Sequence, residues 1–235
     1  MLPKIVAIIG PTASGKSALG FQLANEFCGE IISGDAKQVY KGMDLGTAKE
    51  KSQKIVQHLL DIKDPGDRIT VVEYQALAYE VINTLLARSI LPIIVGGSGL
   101  YVESVVNGYQ FGEGEKSRVQ QPLYQVLKIG IDIDRATLKQ RAAARLSERI
   151  ENGLVDEVKG LIAAGVSKEW LKSCGLEYKY ITEYLLGERD LKSAIGKIEI
   201  ATNQYIKRQY TWWRRHSDIF WVRDFDEAER LVTRF

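Results

Sequence analysis

A chain of 235 residues with 45% hydrophobic and 26% charged side chains is ordinary for a globular protein, which excludes disordered and fibrous classes and allows a core without disulfide or metal staples. Lys and Arg number 32 against 30 Asp and Glu, so a nucleic acid would have to be held by local patches rather than by the field of the whole molecule. No window nears about 18 uninterrupted apolar residues, so no membrane partner is expected, and two cysteines, Cys28 and Cys174, make no framework and suit a reducing, cytoplasmic setting.

Lys4–Ile9 is a short apolar run of buried-strand type, followed by a glycine-rich turn and a helical stretch, Lys16–Phe27. Glu30–Ser33 reads as a second strand, ending at Gly34-Asp35. The recurrence of Val72, Leu77, Ala78, Val81, Leu85 and Leu86 predicts an amphipathic helix over Val71–Arg88. Leu91–Val95 is a further apolar strand closed by Gly96-Gly97, and Val126–Ile133 another. From Arg135 to Arg215 the pattern is mostly helical, with breaks near Gly153, Gly165, Gly175 and Gly187. A last strand, Ile219–Val222, and a helix, Asp226–Arg234, close the chain. Gly108–Gln121, polar and carrying Gly112 and Gly114, is the one linker candidate. Apolar strands alternating with helices predict an α/β fold, a parallel sheet with helices on both faces, continued by a largely helical C-terminal part. One domain is expected over 1–235: an α/β core over 1–134, a helical segment over 135–216, and a returning strand and helix over 217–235.

Gly10-Pro11-Thr12-Ala13-Ser14-Gly15-Lys16-Ser17 matches G-x-x-x-x-G-K-[ST], follows an apolar strand and opens a helix. Accident would produce it about one time in a hundred in such a chain, so it is read as a phosphate cradle, and the sheet as P-loop NTPase-like. Backbone N–H groups and the helix N-terminus would face phosphate oxygens, Lys16 would reach the phosphates and Ser17 would hold Mg2+. The plain alternative is a glycine turn capping a helix. No acid stands at the end of Leu91–Val95, where nucleotide hydrolases usually hold magnesium, which disfavours motor and switch ATPases but leaves small kinases open.

Asp35 leaves its strand at the carboxyl end, where open α/β sheets place ligands, so it could orient or deprotonate an attacking group. A helix cap or an indirect magnesium contact is the competing reading. Arg141, Arg145 and Arg149 recur at i, i+4 on one helix face and could neutralise a leaving phosphate; a solvated face, with Glu148 and Glu151 as partners, is the alternative. Lys207 to Arg215 holds four cations, a tyrosine, two tryptophans and no acid. That suits RNA, with bases on the rings, or a helix whose tryptophans enter the core while its cations face water.

Together these motifs resemble the tRNA dimethylallyltransferases. The matching pieces are Gly10–Ser17; Ile31-Ile32-Ser33-Gly34-Asp35 with Gln38–Asp44 and Gly46-Thr47-Ala48-Lys49; His58-Leu59-Leu60-Asp61; Gly96–Tyr101; and Lys207-Arg208-Gln209 with Thr211-Trp212. The resemblance implies transfer of a dimethylallyl group from dimethylallyl diphosphate to the exocyclic amine of the adenosine 3′ of the anticodon in tRNA. It makes Asp35 the catalytic carboxylate, puts Thr12 near the transfer centre, and gives Arg141, helped by Arg145, the leaving diphosphate, with Mg2+ in the cradle. The tRNA anticodon stem-loop would meet Asp35, Ala36, Lys37, Gln38, Ser98, Lys207, Arg208, Arg214 and Arg215. A monomer is expected.

The chain departs from the family in Ala36 for Ser, Ser98 for Thr, Asn203 for Arg, and an altered Gly175–Lys179 segment. The helical insertion that grips tRNA is reduced to a vestige over 112–124. An isopentenyltransferase acting on free adenine nucleotides and a small P-loop kinase are the alternatives.

Overall fold

β1 (Lys4–Ile9) is apolar at every position but its first because both of its faces are covered. Ile5, Ala7 and Ile9 enter one core with Tyr74, Ile82, Val102 and Trp213, while Val6 and Ile8 enter a second with Leu19, Leu23 and Val222. The chain continues through α1 (Lys16–Glu26), β2 (Gly29–Ser33), β3 (Gln57–His58), α2 (Val71–Ala87), β4 (Leu91–Gly96) and α3 (Gly99–Val106). A short antiparallel pair, β5 (Tyr109–Gln110) and β6 (Arg118–Val119), precedes β7 (Gln125–Ile131). Five helices follow, α4 (Arg135–Glu151), α5 (Leu154–Ala163), α6 (Lys168–Ser173), α7 (Leu176–Leu185) and α8 (Leu191–Trp213), then β8 (Ile219–Val222) and α9 (Phe225–Arg234). This computed structural model describes residues 2–111, 118–119 and 122–235. Most of the expected vestige over 112–124, and the linker glycines Gly112 and Gly114, lie outside the described residues.

Six strands form one parallel sheet in the order β3-β2-β4-β1-β7-β8. The expected α/β architecture, with helices on both faces and a helical C-terminal part, is the observed one. A third core, built from Val39, Tyr40, Met43, Leu146, Leu154, Val158, Tyr178, Ile181 and Ile198, binds the helices of the second half to the loop after β2. The strand expected over Val126–Ile133 stops at Ile131, because Asp134 turns out to accept the N–H of Thr137 and so caps α4. Neither β3 nor α3 stood out in the sequence: β3 is two residues at the sheet edge, and α3 begins inside a glycine run.

Register decides what the sheet presents. Ile9 lies opposite Gly96 and Ser33 opposite Val95, so the loops leaving β1, β2 and β4 emerge together at one edge. The backbones there are close. A Cβ on Gly96 would stand 2.2 Å from the carbonyl oxygen of Gly34. A side chain of any kind is therefore excluded at Gly96.

Candidate active site

The loop after β1 is wound tightly. Gly15 has φ +96° and Ala13, which is not glycine, has φ +63°, a conformation that non-glycine residues adopt at a cost and that turns successive N–H groups to one side. The Ser14 hydroxyl is buried in the loop without a hydrogen-bond partner among the described residues. The glycine-rich loop opening a helix, with its backbone N–H groups, suits an anion. The Lys16 ammonium donates to the carbonyl of Pro11 at 2.6 Å, and burial brings its pKa down to about 8, against the pull of Asp35.

Two cavities open onto this loop. The smaller, about 170 Å³, runs over Thr12, Ala13, Gly15, Lys16 and Ser17 towards Glu50 and Arg145. The larger, about 520 Å³, is walled by Leu100, Tyr101, Leu176 and Tyr178 and carries Ala36 and Lys37 at its side. Asp35, Thr12, Arg145 and Tyr205 line both. Asp35 is therefore at the junction of a polar cradle and an apolar chamber. Its Oδ1 accepts the N–H of Lys37 at 2.8 Å, and burial raises its pKa despite that bond and the nearby Lys16. It caps no helix.

The sequence-predicted residues divide into those the structure brings together and those it does not. Thr12, Ala13, Gly15, Lys16, Ser17, Asp35, Gln38 and Arg145 line the smaller cavity; Ala36, Lys37, Ser98 and Arg208 line the larger. Gly10, Pro11 and Ser14 are buried in the loop behind them. Gln38 and Ser98 are already committed: Gln38 accepts from Ser33 and donates to the Thr47 carbonyl, and Ser98 accepts the N–H of Ala36 at 3.2 Å.

Arg141 is not among the residues the structure brings together at the cavities. It is exposed and lines neither cavity, while Arg145 reaches both and pairs with Glu50 at 2.6 Å. Arg149 turns further inward, to Glu177 at 3.1 Å and the carbonyls of Leu45 and Gly46. Of the cations in the basic tail, Arg208 lines the larger cavity. Trp213 is in the core and the Trp212 indole donates to the buried Glu103 at 2.6 Å. Arg214 stacks on Trp221 and pairs with Asp132 at 2.6 Å, Arg215 lies over Trp212, and Lys207 is exposed; none of the three lines either cavity. Asn203 faces a small groove against α4 instead.

The loop Asp44–Ala48, which closes both cavities, is held from the helical half. Glu157 accepts the N–H groups of Asp44, Leu45 and Gly46 at 2.9, 2.7 and 3.0 Å and the Tyr178 hydroxyl at 2.7 Å. The fully buried side chain of Lys49 ties the other end to Asp44 and Asp61 at 2.6 and 2.5 Å. Glu157→Ala leaves three N–H groups and a phenol without an acceptor. We expect a loss of about 2–4 kcal/mol, read as a lower urea midpoint at constant m-value.

Glu50, Tyr205 and Gln209 were not singled out as site residues. Only Gln209 stood in a recognisable motif; Glu50 gave no signal, since its role depends on an arginine far along the chain.

For magnesium, no group of three or more His, Cys, Asp or Glu among the described residues could hold the ion alone. The Ser17 hydroxyl beside an anion cradle fits a magnesium that takes most of its ligands from phosphate and water.

The family model for IPP transferase matches residues 38–123 and 110–216. A tRNA dimethylallyltransferase 2 of Shewanella sediminis is 35% identical over 267 aligned positions, covering 90% of this chain and 89% of that protein. That alignment is longer than this 235-residue chain, and the two family-model matches meet at 110–123, where the shortened insertion is expected. A tRNA isopentenylpyrophosphate transferase structure from Bacillus halodurans superposes with TM-score 0.89 at 30% identity, covering 99% of this chain and 95% of that one. One from Staphylococcus epidermidis gives TM-score 0.90 at 27% identity, with 99% and 100% covered. On matched sequence through most of its length and on a shared fold with the phosphate loop in place, the chain belongs to the IPP transferase family.

Proposed function

We propose that this protein transfers a dimethylallyl group from dimethylallyl diphosphate to the exocyclic amine of the adenosine 3′ of the anticodon in tRNA, releasing diphosphate. The observation that carries the reading is the junction: an anion cradle opening into a larger apolar chamber, with a carboxylate where the two meet.

The cradle N–H groups, Lys16 and Arg145 hold the diphosphate and neutralise the charge that grows as the bond from allylic carbon to oxygen breaks. Magnesium beside Ser17 would supply further charge neutralisation when bound. The prenyl carbons and the adenine share the chamber. As the new carbon–nitrogen bond forms, the amine proton passes to Asp35, whose raised pKa makes it a better base than an exposed aspartate. Ala36 presents a methyl group, leaving base recognition to Lys37, Arg208 and the main chain. An anticodon loop offers the required unstacked base. We place the protein in the cytoplasm as a monomer; its cysteines Cys28 and Cys174 are free thiols, as a reducing compartment keeps them.

The direct test is incubation with dimethylallyl diphosphate and magnesium plus tRNA, an anticodon stem-loop, AMP or ATP, with products identified by mass. A dimethylallyl adduct on RNA adenosine supports the reading. An adduct on AMP or ATP alone, or phosphorylation of an acceptor from ATP, overturns it. The placement of the arginines adds a second expectation. Arg145→Ala should weaken inorganic diphosphate binding roughly 10–100-fold, the worth of a hydrogen bond to a charged group. Arg141→Ala should leave it within about twofold, as for a solvated charge. Calorimetric titration separates the two.

A further inference from the structure

Gln209 projects from α8 into the sheet edge and is 7% exposed. Its Oε1 accepts the N–H of Thr12 at 2.9 Å, and its Nε2 donates to the carbonyl of Gly97 at 2.9 Å. One residue on, the Ser98 hydroxyl accepts the N–H of Ala36, the neighbour of Asp35. The cradle and the carboxylate, which leave the sheet from different strands, are thus joined by a short run of hydrogen bonds through one side chain. Glutamine suits the task because a single planar group offers both an acceptor and donors. Gly97 serves the same contact. A Cβ there would stand 2.6 Å from Nε2, so the amide can reach the main chain only past a glycine.

We propose that Gln209 is a positioning residue that sets the separation between the diphosphate on the cradle and the amine facing Asp35; this rests on the prenyl-transfer reading above. Displacement at an allylic carbon needs donor and acceptor aligned along one line, and a misplacement of about 1 Å can cost about 100-fold in rate. The amide holds two loops in register while each keeps its own ligand. Its loss should therefore slow turnover without releasing the diphosphate.

The test uses the whole chain with dimethylallyl diphosphate and an anticodon stem-loop. Gln209→Met keeps the length and removes both hydrogen bonds. Gly97→Ala displaces the amide without touching Gln209, and so stands in if the first variant fails to fold. Each is expected to lower kcat roughly 10–100-fold while inorganic diphosphate affinity stays within about threefold, the mark of an interaction made only on the way to the transition state. Because both act on one contact, the double variant should be no slower than the slower single one. Diphosphate affinity falling in step with kcat, an unchanged kcat, or losses that multiply in the double variant would overturn the proposal. A wild type that transfers no prenyl group to RNA would strike the reading beneath it instead.

Discussion

Asp35→Asn is expected to lower turnover by about two to four decades, the range for a lost general base, and to leave inorganic diphosphate affinity nearly unchanged. The asparagine keeps the shape and the bond from the Lys37 N–H but cannot take the amine proton. The pH dependence follows from the direction of the shift. Burial raises the Asp35 pKa, so the working, ionised form appears only as pH rises through that elevated value, and wild-type turnover climbs over the same interval. Stability runs the other way. A carboxyl that holds its proton more tightly when folded stabilises the protein most in acid, and this contribution is lost as pH rises from the unfolded pKa through the folded one. Asp35→Asn should therefore denature at higher urea than wild type at neutral and alkaline pH, with the two converging in acid. A variant that loses magnesium-dependent diphosphate affinity would instead assign Asp35 to the metal.

Lys16→Ala should cost about two to three decades in turnover, as for loss of a charge donor at a developing anion, and here diphosphate affinity should fall with it. The wild type offers a subtler check. With its pKa brought down to about 8, Lys16 is only partly charged in mildly alkaline solution. A diphosphate favours the charged form and draws in a proton on binding, so binding heats measured near that pH should vary with the ionisation enthalpy of the buffer. Affinity should decline as pH passes upward through about 8. Buffer-independent heats would place the ammonium away from the ligand.

The first strand, the loop and the first helix were legible because a fully buried strand, a glycine turn and an amphipathic helix each leave a local pattern, and here the three are contiguous. Asp35 was legible because strand ends can be read from where an apolar run stops. The arginines show the limit. Residues four apart on a helix differ by about 40° around its axis, so Arg141 and Arg149 point some 80° apart, and the periodicity alone could not say which one faces the cradle. The tryptophans show another: adjacent residues diverge by about 100°, sending Trp213 into the core and Trp212 to Glu103. The acid missing after β4 was visible in the sequence as a chemical clue. That Gly96 has no room for a Cβ against Gly34 needed the register of neighbouring strands.

The bond from Thr12 to Gln209 spans 197 residues of sequence, which gives the molecule a particular order of assembly. The phosphate loop leaves the ribosome well before the amide that fastens it. At about 5–20 residues per second, roughly 10–40 s separate the two. Through that interval the nascent chain carries the phosphate loop without the side chain that fastens it. A chain released before α8 is made holds the cradle and the carboxylate in its sequence but lacks the amide that bonds Thr12 and Gly97.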